Sequence, residues 1–259
     1  MGERAPARAG SATRRSRWAA LMAVAMLLLA GFAPAATPAL ARQSAASIPI
    51  LIYHHIEPTP GEYAVTPDQL ESQLAWLSAN GYVTVTPTQL VAAMSGWGEL
   101  PANPVMLTVD DGWASQHQFV EAVNRYGMRA AYFLPNYAAF SPDQIRALHA
   151  TGEVCGHTVN HADLPSMSWD EQVREITDNK LWLEGIVGGP VSCFAYPFGS
   201  YTEETVQAVI GAGYQIAFSA WGGPAPLDGS FDRWRVQRIN VAGSFGIDQL
   251  AGLMHPGAW

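Results

Sequence analysis

The sequence is poor in cysteine and in basic residues, and each shortage excludes a class of protein. Two cysteines, Cys155 and Cys193, are too few for a disulfide-rich scaffold or for a zinc module with cysteine ligands. Beyond Ala41, nine basic residues stand against 21 acidic residues, which gives a net charge of −12. Because such a surface repels phosphate, we expect no nucleic-acid partner and no attraction to an anionic membrane.

The chain also lacks internal repeats, low-complexity tracts and long linkers. Of its 259 residues, 49% are hydrophobic and 14% are charged, a composition that excludes an intrinsically disordered protein. We therefore expect one domain with a large core. Nothing in the composition implies a stable protein partner.

The N-terminal residues show the three parts of an export signal. Five arginines precede the apolar run 18–33, and Ala39-Leu40-Ala41 then offers small residues for a signal peptidase. The sequence predicts a signal peptide over 1–41, a short linker over 42–47 and one domain over 48–259. The run of sixteen residues is shorter than the roughly 20 that span a bilayer, which favours cleavage near Ala41. Membrane contact is expected only if the leader stays uncleaved.

Export would place the protein outside the cytoplasm, in the medium, the periplasm or the cell wall. In such a compartment a disulfide between Cys155 and Cys193 is chemically permitted. Two buried free thiols are the alternative, and the sequence does not choose between them.

From Ile48 onward, short runs of β-branched and aromatic residues alternate with segments of helical period. Strands are predicted over 48–54, 82–85, 105–110, 130–134, 153–157, 192–196, 215–219 and 236–241. Helices are predicted over 67–80 and 246–254, and further helices begin at 116, 142, 169 and 203. This alternation indicates an α/β fold with a parallel sheet, either a barrel or a doubly wound sheet. In both folds the chemistry gathers where the strands end.

Two of these strand ends carry groups that bind metals. The strand over 105–109 runs into Asp110-Asp111-Gly112, for which an Asx turn or a helix cap is the alternative interpretation. The strand that begins at residue 153 runs into His157 and His161, which are four residues apart and can face the same way on a helical turn. Two imidazoles and one carboxylate leave a divalent ion an open position, which is typical of a catalytic metal site.

A third segment, Tyr196-Pro197-Phe198-Gly199, ends a strand at a turn that can aim a backbone N–H at the same site. A plain strand terminus is the alternative for this segment alone. In order and spacing, 108–112, 157–161 and 196–199 together resemble the polysaccharide deacetylases with a NodB homology domain, the family-four carbohydrate esterases. The resemblance covers residues 48–241.

This resemblance implies a distorted (β/α) barrel of about seven parallel strands. It also implies one divalent metal ion, with zinc as the first expectation, bound by Asp111, His157 and His161. Asp110 would be the general base, and the backbone N–H of Phe198 would help to bind the oxyanion.

The sequence departs from the family pattern at two places. Ala195 stands where many members have an arginine that orients the basic aspartate, and Arg238 on a late strand is the proposed substitute. The family's general acid comes from a late Leu-x-His segment, but here Leu253-Met254-His255 closes a predicted terminal helix. The opening strand instead resembles the Tyr-His strand of the exported poly-N-acetylglucosamine deacetylases, whose motif order is circularly permuted. We therefore assign the acid to His54; alternation along the strand would turn His55 away.

The expected reaction is metal-dependent removal of N-acetyl groups from a β-linked N-acetylglucosamine polymer, with release of acetate. Tyr196, Trp113 and Trp234 are the aromatic residues nearest the motifs and are candidates for stacking on the sugar, although core packing is the usual role of such rings. Peptidoglycan, chitin oligomers, O-acetylated xylan and a small amide are alternative substrates. A secreted glycan-binding protein that has lost activity is the alternative of another class.

Overall fold

The computed structural model describes residues 1–2 and 46–254. The predicted signal peptide and His255 therefore lie outside the described residues, apart from the first two positions. Among the described residues, no helix is both long enough and apolar enough to cross a membrane.

The fold is a curved parallel sheet covered by helices. The strands are β1 Ser47–Ile48, β2 Ile50–Tyr53, β3 His55–Ile56, β4 Ala64–Val65, β5 Val83–Thr84, β6 Pro104–Asp110, β7 Ala130–Leu134, β8 Glu153–Gly156, β9 Cys193–Ala195, β10 Ile216–Phe218, β11 Ala225–Pro226 and β12 Ile239–Asn240. Seven of them form the main sheet in the order β10-β9-β8-β7-β6-β2-β12, and β5 adds to β6 beside this path. Every pair in this sheet is parallel.

The two ends of the sheet approach each other through the segment before β12. Val236 forms a parallel bridge with Phe218 of β10, while Ile239 pairs with Leu51 of β2. Residues 236–240 therefore contact β10 at one end of the sheet and β2 at the other, and the sheet curls into a distorted barrel. This confirms the predicted fold of about seven parallel strands.

The helices are α1 Pro67–Ala79, α2 Pro87–Met94, α3 His117–Arg125, α4 Pro142–Thr151, α5 Trp169–Val187, α6 Glu203–Gly211 and α7 Ile247–Met254. Thr66, Thr86 and Ser141 each cap a helix with a side-chain oxygen, and a proline follows each cap. Helix α2 is absent from the predicted helices, although its cap and proline are visible in the sequence. The strands of the β3–β4 pair and β11 are also new.

Alternation along the strands decides which side chains face the interior. On β6, Leu107 and Val109 pack in the layer between the sheet and the helices, whereas Met106 belongs to the cluster on the opposite, inner face. By the same two-residue period, Asp110 lies on the inner face at the end of the strand. The inner positions at the other strand ends are Ile52 and His54, Cys155 and His157, Cys193 and Ala195, and Arg238 and Asn240.

A disulfide joins Cys155 on β8 to Cys193 on β9 within this inner layer. Only Gly156 and Phe194 pair in the ladder between these two strands. The disulfide is therefore a second link between the strands that end at His157 and Ala195. Of the two alternatives left open by the sequence, the structure has the disulfide.

Candidate active site

Three predicted metal ligands converge at the carboxyl ends of β6 and β8. Asp111 Oδ1 lies 3.3 Å from His157 Nε2 and 3.1 Å from His161 Nε2. The potential ligand atoms of these residues all lie within 4.8 Å of one another. The sequence separates Asp111 from His157 by more than forty residues, and the parallel sheet brings their strand ends together.

The hydrogen-bonding state of these groups fits a cation. His157 Nδ1 lies 2.8 Å from the carbonyl oxygen of Ala195, so this nitrogen carries a proton, and Nε2 presents a lone pair whenever the ring is neutral. That lone pair faces Asp111 Oδ1, a buried oxygen without a hydrogen-bond donor among the described residues. Two acceptors in contact require a positive charge between them. Two imidazoles and one carboxylate are the donor set that suits zinc and similar divalent ions.

The pKa values of Asp111 and His157 also indicate that a positive charge stabilises this site. Burial opposes ionisation of Asp111, but its contacts with His157 and His161 outweigh burial and hold its pKa far below the ordinary carboxyl value. Burial likewise opposes the charged form of His157, yet the neighbouring carboxylates raise its pKa above the ordinary value. A bound divalent ion would supply this charge in place of a proton.

The backbone is strained at the same site. Among the described residues, the non-glycine positions with positive φ are Asp111 (78°), Thr158 (64°), His161 (54°) and Phe198 (58°). L-residues disfavour this region, and a β-branched residue such as Thr158 disfavours it most. All four positions lie in the motif segments 108–112, 157–161 and 196–199. The backbone strain is therefore concentrated at the candidate site.

Helix α5 holds the loop that carries the two histidines. Asn179 Oδ1 accepts a hydrogen bond from the His157 N–H at 2.9 Å, and the Glu175 carbonyl accepts one from the Val159 N–H at 3.1 Å. The Glu175 side chain also accepts bonds from the Asn160 backbone N–H and side chain. Sequence reasoning missed these positioning residues. Their signal is two polar side chains four positions apart on the buried side of a helix.

Asp110 and Arg238 form a buried ion pair beside the metal ligands. The guanidinium donates to both carboxylate oxygens, with Nη1 2.8 Å from Oδ1 and Nη2 2.7 Å from Oδ2. Its Nε donates to the carbonyl of Ser219, and its guanidinium carbon lies 5.0 Å from the ring centroid of Phe133 and 5.9 Å from that of Phe218. The structure thus brings Arg238 to Asp110, where the sequence predicted a substitute for the missing arginine.

This pair determines the charge of Asp110. Burial by itself would raise the pKa of the carboxyl group, but the charge and hydrogen bonds of Arg238 outweigh it and lower the pKa. Asp110 is therefore a carboxylate at neutral pH, as a general base must be.

Gln116 connects the ends of two neighbouring strands. Its side-chain amide donates to the backbone carbonyl of His54 at 2.8 Å and also to the carbonyl of Asp110. Gln116 is fully buried, and sequence reasoning missed it. It fixes the strand end that carries the candidate acid relative to the strand end that carries the candidate base.

His54 lies in the same pocket as the metal ligands, on the inner side predicted by alternation. Burial lowers the pKa of His54, and the charges of Asp110 and Asp111 oppose this shift only in part. His55 also lines the pocket, and its ring lies beside that of Trp113. Strand β2 ends at Tyr53 and His55 opens the separate strand β3, so alternation does not continue through this point.

Phe198 lies on the opposite side of the pocket, at the turn after β9. The N–H groups of Gly199 and Ser200 close the turn by bonding to the carbonyls of Tyr196 and Pro197. Among the residues that the structure describes, the Phe198 N–H has no hydrogen-bond acceptor, and Phe198 lines the pocket. The ring of Phe198 is 59% exposed and lies edge-on to His161, with 4.5 Å between centroids.

The three aromatic candidates for sugar stacking have other contacts. Tyr196 is only 1% exposed and donates its hydroxyl to the carbonyl of Trp234, so its ring offers a sugar almost no surface. Trp234 packs against the core between the sheet and the helices. Both residues therefore have the packing role that is usual for such rings.

Trp113 differs from these two residues, because its side chain contacts Asp111, a predicted metal ligand. Its indole N–H donates to Asp111 Oδ2 at 3.0 Å, and its ring stacks on His55 with 4.9 Å between centroids. The bond occupies one oxygen of Asp111 and leaves Oδ1 facing the histidines. The exposed aromatic side chains that line the pocket are instead Tyr63, Phe198 and Trp221, of which sequence reasoning missed the first and the last.

Comparison with known proteins places this site in a family. Residues 98–217 match the family model described as polysaccharide deacetylase. The Bacillus subtilis (strain 168) protein YxkH, named as a proposed polysaccharide deacetylase, is 28% identical over 204 residues, which make up 76% of this chain and 72% of YxkH.

Solved structures share the fold over most of the chain. The Streptococcus pyogenes deacetylase PplD in complex with acetate aligns with a TM-score of 0.75 at 25% identity, over 81% of this chain and 99% of PplD. IcaB from Ammonifex degensii shares the fold with a TM-score of 0.68 at 22% identity, over 82% of this chain and 98% of IcaB. Residues 98–217 thus match the polysaccharide deacetylases in sequence, and the chain shares the parallel-sheet fold of the NodB-type deacetylases over about four fifths of its length.

Proposed function

We propose that the protein is a metal-dependent deacetylase that removes N-acetyl groups from a β-linked N-acetylglucosamine polymer and releases acetate. The observation that carries the proposal is the arrangement of two adjacent aspartates in different environments. Asp110 is paired with Arg238, whereas Asp111 faces His157 and His161. One site thus offers an ionised carboxylate for proton transfer beside a group of candidate metal ligands.

Each residue of the chain has a separate task in this reaction. Asp111, His157 and His161 would hold a divalent ion, which polarises a carbonyl group and lowers the pKa of water. Asp110, kept ionised by Arg238, accepts the proton of the attacking water. The free N–H of Phe198 donates to the oxygen that becomes negative as the acetyl carbon turns tetrahedral. His54, in its protonated form, then gives a proton to the departing amine.

Two further observations support the proposal. The structurally similar Streptococcus pyogenes deacetylase holds acetate, the product of the proposed reaction. The Cys155–Cys193 disulfide supports the proposed export, since disulfides persist in oxidising compartments outside the cytoplasm.

The test is acetate release from a panel of substrates: N-acetylglucosamine oligomers and polymer, peptidoglycan, chitin oligomers and O-acetylated xylan, each with and without a chelator. We expect release from the β-linked N-acetylglucosamine substrates, its loss with chelator and its recovery with zinc. A preference for O-acetylated xylan would overturn the proposed substrate, and full activity of the metal-free protein would overturn the metal site. Binding of these glycans without any release would favour the inactive glycan-binding protein.

A pair of matched variants tests the separate tasks of the two aspartates. Asp110→Asn should keep the metal and lose turnover by roughly 10²–10⁴-fold, the usual contribution of a general base. Asp111→Asn should weaken metal binding itself, measured by titration with zinc. Equal loss of metal in both variants would contradict the assignment.

A further inference from the structure

Two residues of the candidate active site each have a buried polar atom that forms no hydrogen bond within the described part of the chain. These atoms are Nδ1 of His54 and Oδ1 of Asn240, and both residues line the pocket that contains the candidate metal ligands. A buried polar atom without a partner is unfavourable, so each of the two is expected to have a partner in the working protein.

The sheet places these two side chains on neighbouring strands of one face. Asn240 on β12 pairs in parallel register with Ile52 on β2, and His54 follows Ile52 by two residues. Paired strands lie about 4.8 Å apart, and residues two positions apart on a strand share a face. Asn240 and His54 are therefore diagonal neighbours at the inner side of the barrel.

The other contact of Asn240 fixes the orientation of its amide group. Nδ2 lies 3.1 Å from the carbonyl oxygen of Glu62, which can only accept a hydrogen bond. The nitrogen must therefore face Glu62, and the atom left without a partner is the oxygen, which is itself an acceptor. A protonated His54 carries an N–H at Nδ1, so the acceptor on Asn240 matches the donor on His54.

The other unpaired buried oxygens among the described residues suit His54 less well. Asp111 Oδ1 faces the two candidate metal-binding histidines. The remaining three belong to residues that do not line the pocket, namely Gln116, Gln172 and Tyr214.

The bond from Asn240 to Glu62 also affects the surroundings of His54. Tyr63, the residue after Glu62, packs edge-on against the His54 ring with 5.2 Å between centroids. Through the Glu62 carbonyl, Asn240 thus holds the loop that places an aromatic ring beside His54.

We propose that Asn240 is the positioning residue of the candidate acid: its Oδ1 accepts the Nδ1 proton of His54, so that Nε2 faces the departing amine. No hydrogen bond joins the two atoms in the structure, and a rotation of the imidazole or of the amide closes it. The proposal rests on the proposed function and deepens it, because it names the residue that decides which nitrogen of His54 meets the substrate.

The first experiment measures kcat and KM on a β-linked N-acetylglucosamine pentamer. Asn240→Ala should lower kcat roughly 10- to 100-fold with little change in KM, the size of one lost hydrogen bond to a charged group. Asn240→Asp keeps an acceptor oxygen but loses the donor to Glu62, and it should retain most of the turnover. Gln69→Ala is the matched control, because the Gln69 amide donates to the Gly243 carbonyl at 2.7 Å, just after β12, but Gln69 does not line the pocket.

The second experiment reads the tautomer of His54 by nitrogen-15 NMR of the histidine rings, with the signal assigned by its loss in His54→Gln. The neutral ring should carry its proton on Nδ1 in the wild type and in Asn240→Asp, and on Nε2 in Asn240→Ala. The same tautomer in wild type and Asn240→Ala would overturn the proposal. Loss of the Nδ1 proton in Asn240→Asp, or an equal fall of kcat in Asn240→Ala and Gln69→Ala, would also overturn it.

The two experiments separate this proposal from the proposed function. Absence of acetate release from every substrate would refute the function and leave the tautomers to decide the role of Asn240. In that event a proton that moves from Nδ1 to Nε2 in Asn240→Ala supports the proposal, and an unmoved proton overturns it.

Discussion

Replacing Arg238 by methionine tests the buried pair on which the proposed base depends. The substitution removes both hydrogen bonds to Asp110 and leaves a carboxylate that is 3% exposed without a partner. Removing one member of a buried ion pair costs about 3–5 kcal/mol in the free energy of unfolding. Methionine keeps the contact with Phe133 and Phe218, so this loss would reflect charge and hydrogen bonding more than packing.

The same substitution should change the pH dependence in a defined direction. In the wild type, the lowered pKa of Asp110 gives stability that is present above the unfolded carboxyl value of about 3.9 and is lost as the pH falls through the folded pKa. Without Arg238, burial is the main remaining influence, and it raises the pKa of Asp110. The stability difference between wild type and Arg238→Met should therefore shrink as the pH falls through the raised pKa of Asp110 in the variant and be smaller at pH 4 than at pH 7, and the acidic limb of kcat/KM should move to higher pH.

The assay is urea unfolding of three proteins at pH 7 and pH 4, together with a pH–rate profile for each. Arg235→Met is the matched control, because Arg235 also forms two ion pairs but its side chain is 29% exposed. Exposed pairs contribute about 0.2–1 kcal/mol each, so the control should change far less than Arg238→Met. If both variants lose the same small amount of stability and the acidic limb stays in place, Arg238 does not hold the charge of Asp110.

Three other predictions concern the rest of the site. His54→Ala should lower kcat far more than KM and abolish the basic limb of the pH–rate profile, whereas His55→Ala should keep that limb; the reverse result would assign the acid to His55. Trp113→Phe keeps a ring but removes the N–H that holds Asp111, so zinc titration should show a 10- to 100-fold weaker affinity, and an unchanged affinity would contradict this role. Replacing both Cys155 and Cys193 by alanine opens a loop of 38 residues and should cost about 4 kcal/mol in thermal or urea unfolding, while a loss below about 1 kcal/mol would mean that the link is dispensable.

The sequence predicts the site best where a residue's position follows from the strand that carries it. Alternation on β6 sends Asp110 inward, and parallel strands place the ends of β6 and β8 at one edge, so the amino-acid sequence alone groups the candidate ligands. The same alternation places Arg238, just before β12, on the inner face beside Asp110. The cap-and-proline pair Thr86-Pro87 marks the start of helix α2, although the segment after it is not among the predicted helices.

Contacts between distant segments cannot be predicted in the same way. The bonds of Gln116 to the ends of two strands, and those of Asn179 to the histidine loop, depend on how helices pack on the sheet. The same holds for Trp113, whose position beside a predicted site suggests sugar stacking while its N–H instead binds Asp111. Side-chain chemistry is visible in the sequence, but the partner of each side chain is set by tertiary packing.

The feature that local backbone preferences disfavour most strongly is the left-handed conformation of four non-glycine residues. Asp111, Thr158, His161 and Phe198 all disfavour positive φ, at a cost of order 1–3 kcal/mol each. Such a conformation persists only where surrounding contacts determine it, and the bonds from α5 to the histidine loop are contacts of that kind. Strain and support therefore occur together at the histidine loop, where the packing of α5 fixes the backbone that carries His157 and His161.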